Sequence, residues 1–84
     1  MAGDLIHIKF AMTHYTRADL DMADRHIAEG EGHIGRQEAL LTEMRARGYP
    51  VDSAETLLAL FNSTQVSHIT HRAAIARALE VAGL

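Results

Sequence analysis

Between Leu20 and Met44 the chain repeats every seven residues: Leu20, Ile27, Ile34 and Leu41 form one series, and Ala23, Gly30, Gln37 and Met44, three positions on, form the other. This a/d spacing is what two packed helices require, and no strand can hold it on one face. A second stretch carries an equivalent seam. Leu58, Phe61, Ile75 and Leu79 fill its ends, and Gln65, His68 and Arg72 make its middle polar. Between the two stands Gly48-Tyr49-Pro50, which punctuates a helix end: glycine takes the left-handed C′ position and proline forbids continuation.

The ends of both segments carry signals of their own. Thr16 with Asp19 has the form of a capping box, and Asp19, Asp21 and Asp24 suit the positive end of the helix dipole, so the first helix is expected over about 17–47. Asp52 with Glu55 reads as a second capping box, starting the second helix near Ser53; Gly83 ends it. A turn at 48–52 between helices of equal length forces an antiparallel hairpin in which facing positions sum to roughly 100. Leu41 then faces Leu58, and Ile27 lies near Ile75. Gly30, His33 and Gln37 come level with Gln65, His68 and His71 in one shared polar layer. Residues 1–15 read differently. Ile6, Ile8, Phe10 and Met12 alternate like a strand, while Leu5, Ile8, Met12 and Tyr15 fit a helical stripe. With no sheet to join, they are expected to form an N-terminal helix or loose arm, leaving 16–84 as the hairpin.

The second helix has another apolar face, Val66, Ile69, Ala73 and Ala76, about a quarter turn from its seam. One hairpin cannot cover both faces. A chain of 84 residues buries only roughly 60–65% of its unfolded surface, and without cysteine it has no disulfide to supplement the core. These four residues are therefore the expected interface of a homodimer, two hairpins closing into an all-α four-helix bundle.

Charge excludes several classes of partner. A net charge of −3 and a pI near 6.0, with basic residues dispersed among acids, argue against nucleic acid. The apolar run at residues 5–12 is far short of a membrane span and lacks the basic flank of a signal peptide. The expected setting is the cytoplasm, which the absence of cysteine suits.

Four motifs bear on chemistry. Gly30–Gly35 spells GEGHIG, a letter-for-letter GxGxxG, but that motif binds a pyrophosphate only between a buried strand and a helix start, and here it lies inside the helical repeat. Three glycines there cost about 2–3 kcal/mol against alanine. Gly30, on the seam, is expected to let the helices approach closely. Six histidines are many for this length, and His26, His33, His68 and His71, with Glu29, could hold a transition metal such as Zn. The di-iron signature is missing, because it needs Glu three residues before His, and His26 to Glu29 runs the other way. Gln37, Gln65, His68 and Arg72 are expected to fix register, since a polar seam residue disfavours pairings that leave it unsatisfied; Glu29 is the expected partner of Arg72, or else an acid on a second subunit. Ser67 with His71 lacks an orienting acid and oxyanion donors, so no catalytic residue is expected and the chain is not read as an enzyme.

Taken together, RHIAEGEGHIGRQ (Arg25 to Gln37) and, after the turn, LLALFNSTQVSHITHR (Leu57 to Arg72) resemble a group of short, uncharacterised bacterial proteins with a helical-hairpin pattern. The resemblance spans Met22 to Leu79 and implies only the hairpin. It carries over no activity, cofactor or site. The function expected from the residues is a non-catalytic interaction or regulatory module that acts as a homo-oligomer, without a cofactor and with itself or another protein as partner; the alternative is a metal-binding bundle built on the His/Glu cluster.

Overall fold

Helix α1 runs without interruption from Arg17 to Ala46 and helix α2 from Asp52 to Ala82. The computed structural model describes residues 14–83. Only His14 and Tyr15 of the expected N-terminal arm fall within that range; the rest of the arm lies outside the described residues. Among the described residues there is no strand, and the two helices pack side by side as a hairpin.

The capping box at Thr16 forms as expected. The Thr16 hydroxyl accepts the Asp19 amide at 3.3 Å, and the Asp19 carboxylate accepts the Thr16 amide at 2.8 Å, satisfying two donors that the first turn leaves orphaned. At the other end Gly48 sits at φ 71°. The Tyr49 amide donates to Met44 O at 2.9 Å and the Gly48 amide to Arg45 O at 3.2 Å. This pair of bonds is a Schellman motif, and its left-handed residue is why a glycine stands there. Gly83 ends α2 at φ 78°.

The second capping box does not form. Val51, at φ −112° and ψ −1°, is the N-cap, its carbonyl accepts the Glu55 amide at 2.8 Å, and no side chain caps the helix. The Schellman turn and Pro50 bring the chain into helical geometry one residue early, so Asp52 already lies in the first turn and lacks the extended backbone that a capping side chain needs.

The seam is where the repeat puts it. All eight α1 positions from Leu20 to Met44 are buried or half-buried, as are Leu58, Phe61, Gln65, His68, Arg72, Ile75 and Leu79 on α2. Ala23, Ile75 and Leu79 form a core cluster near the open end, with Tyr15 and Leu20 packed against it. The molecule measures 62 × 24 × 12 Å. Its thickness is that of one helix, so it is a single layer with two broad faces.

Candidate functional site

The polar middle of the seam consists of two reciprocal grips. Gln37 on α1 donates to Ala54 O on α2 at 3.0 Å, and Gln65 on α2 donates to Ile27 O on α1 at 2.9 Å. Each helix thus supplies one amide to the other's backbone, and both glutamines are buried. Gly30 makes the second grip possible: a Cβ at that position would collide with the Gln65 side-chain oxygen. The close approach expected at Gly30 is therefore filled by the chain's own glutamine. That oxygen is buried without a hydrogen-bond partner, a cost offset by the donor on the same amide.

Register departs from the expectation by about five residues in the middle of the seam, whereas Arg45 and Glu55, near the turn, sum to 100 as expected. Gly30 meets Gln65, His26 meets His68, His33 meets Phe61 and Asp24 meets Arg72, so facing numbers sum to about 95. His33 and Gln37 are not level with His68 and His71, and the single polar layer is spread along the seam. Arg72 takes Asp24 at 2.8 Å, not Glu29. Five residues turn a helix by about 140°, which carries Glu29 to the opposite flank of α1.

That opposite flank gathers the histidines. The His26 and His68 rings lie 5.5 Å apart and tilted by 32°. His33 stacks on Phe61 at 5.5 Å, and its Nδ1 accepts from the Arg36 guanidinium at 3.2 Å. Tyr15 meets His71 edge-on at 6.1 Å. The Nδ1 of His68 is buried and has no hydrogen-bond partner. Of the five candidate ligands only His26 and His68 touch; among the described residues no three His, Asp or Glu side chains come together as a metal-holding group. A small cleft of about 120 Å³, lined by Tyr15, Asp19, Met22, Ala23, His26, His71 and Ile75, opens beside them.

The other flank carries the expected interface residues. Glu55 of α2 lies 3.8 Å from Arg45 of α1, which identifies this side of the pair. Val66 and Ala73 stand 11 and 18 residues from Glu55, close to whole turns, so they share its direction. Val66 and Ile69 are 64% and 52% exposed, Ala73 is exposed and Ala76 half-buried. An open groove continues along Arg72, Ala73, Ala76, Arg77 and Glu80.

Sequence reasoning missed a second exposed apolar group on the histidine side. Leu40, Leu57 and Leu60 are each at least 39% exposed, near the turn. Their signal was present as doubled apolar letters, Leu40-Leu41, Leu57-Leu58 and Leu60-Phe61. In each pair the second residue fills the seam and the first points about 100° away from it. Among the described residues no helix is long and apolar enough to cross a membrane. Comparison with known protein families, curated proteins and solved structures finds no match for this chain.

Proposed function

We propose that the chain is a non-catalytic helical interaction module that works as a homo-oligomer in the cytoplasm, two hairpins closing into a four-helix bundle through Val66, Ile69, Ala73 and Ala76. One observation carries this reading: Val66 and Ile69 stand more than half exposed on a helix whose other apolar stripe is already used by the hairpin. A layer 12 Å thick has no interior of its own to receive them, and an apolar stripe on such a layer calls for a second one. Sedimentation equilibrium tests it. Wild-type protein is expected at twice its 9.2 kDa chain mass. Ile69→Lys, which places a charge at the centre of the contact, is expected to weaken association at least 100-fold while helical content persists. A wild-type chain that stays monomeric at 100 µM would remove the proposal.

The His26–His68 contact favours a second reading, a metal-binding bundle. Two imidazoles 5.5 Å apart offer two of the four donors that a zinc site takes. The other two would come from a second subunit. Thermal unfolding in EDTA and then in stoichiometric Zn, Ni, Cu or Fe decides between the readings. Metal at 100 times its dissociation constant adds about 2.7 kcal/mol to the folded state, and on this reading the gain disappears in His26→Ala/His68→Ala. A melt that no metal moves removes this second reading.

A further inference from the structure

The open flank of α2 extends beyond its four apolar residues, and its order has a symmetry. Asn62, Val66, Ile69, Ala73, Ala76 and Glu80 point to one side of the helix, separated by four, three, four, three and four residues. That spacing is unchanged when the stripe is reversed about the level of His71. Reversal places Val66 opposite Ala76, Ile69 opposite Ala73 and Asn62 opposite Glu80. Large side chains thus meet small ones, and an amide donor meets a carboxylate acceptor.

We infer that the occupant of this flank is a second copy of the same chain, docked antiparallel on a two-fold axis that crosses the helices level with residue 71. The inference rests on the homo-oligomer reading and adds its geometry. Val66 and Ile69 cover the partner's Ala76 and Ala73, and the Asn62 amide donates to the partner's Glu80 carboxylate, twice by symmetry. The opposite, parallel arrangement stacks Glu80 on the partner's Glu80 and leaves alanine against alanine with space between them. Like charge and the void both disfavour it.

Helix α1 can be placed on the same axis, where Asp24 comes level with the partner's Asp24, each carboxylate paired with its own chain's Arg72. With the hairpin's own register, the same axis brings residues of α1 together when their numbers sum to about 48. Arg17 then meets the partner's Glu31. Both lie on the flank of Asp24 and Arg45, and neither has an ion-pair partner among the described residues. Neither do Asn62 and Glu80 have side-chain partners there. From Asn62 to Glu80 the stripe is about 28 Å long, and the α1 residues that the axis brings over the partner, 17–31, run for about 21 Å beside it.

Asn62 variants test the orientation, with circular dichroism confirming helical content and sedimentation equilibrium reading the dissociation constant. Asn62→Lys faces the partner's Glu80 in the antiparallel dimer and should tighten it about 3- to 10-fold; in a parallel dimer it faces itself and loosens it. Asn62→Glu should weaken the antiparallel dimer about 10-fold, and Asn62→Glu/Glu80→Lys should restore it to within about 3-fold. If Ile69→Lys dissociates the dimer but Asn62→Lys loosens it, or both Asn62 variants leave it within 2-fold, this geometry is overturned and the homo-oligomer stands. A wild-type chain monomeric at 100 µM overturns both, and leaves the flank to a different protein.

Discussion

An alanine methyl at residue 30 would need space that the Gln65 amide already fills, whereas at residue 35 it would meet no neighbouring side chain and nothing of the facing helix within 4 Å. The two substitutions have the same helix-propensity gain, about 1 kcal/mol, so their difference isolates the grip. Gly30→Ala displaces a buried amide from Ile27 O, at about 1–3 kcal/mol. Gly30→Ala is therefore expected to destabilise by about 1 kcal/mol, and Gly35→Ala to stabilise by about 0.5–1 kcal/mol. For a domain of this size that is a separation of several degrees between the two thermal midpoints; equal midpoints would mean that Gln65 yields freely. The role of Gly30 was legible because it falls on the seven-residue repeat. The atom it admits was not, because which α2 residue stands opposite depends on register.

Register was the least legible feature at the scale of elements. Both helices and their seams follow from the repeat, and the Gly48 turn from its chemistry, but how far one helix slides along the other depends on how the turn is wound. Asp52 was expected outside α2 and lies in its first turn, and the contacts in the middle of the seam sum to about 95 instead of 100. Arg72 consequently meets Asp24. The two helix starts now make a prediction. Thr16→Ala removes a capping box with both of its bonds present and should cost about 1 kcal/mol. Asp52→Ala removes only a carboxylate near the helix dipole, at about 0.3–0.5 kcal/mol. Urea midpoints of the two variants should rank in that order, and a larger loss for Asp52→Ala would show that it caps α2 after all.

The whole molecule is one layer with apolar side chains on both faces. The proposed assembly would couple stability to concentration by mass action, so on that reading the thermal midpoint of the wild-type chain should rise with protein concentration and that of Ile69→Lys should not. The alternation of Val66 and Ile69 with alanines made one face legible. The leucines near the turn were hidden by adjacency, since a run such as Leu57-Leu58 does not say which member turns inward until the seam is placed.

Thinness also bears on how such a chain can change over generations. Among the described residues the largest side chains wholly shut from solvent are Leu41 and Ile75, and exposed positions usually tolerate exchange within about 0.5 kcal/mol. Inheritance has few single letters to guard: a rhythm of sevens, two glutamines facing each other's backbone, a glycine to admit one of them and another to turn the chain. A lineage that keeps those can rewrite most of its remaining text and fold into the same hairpin.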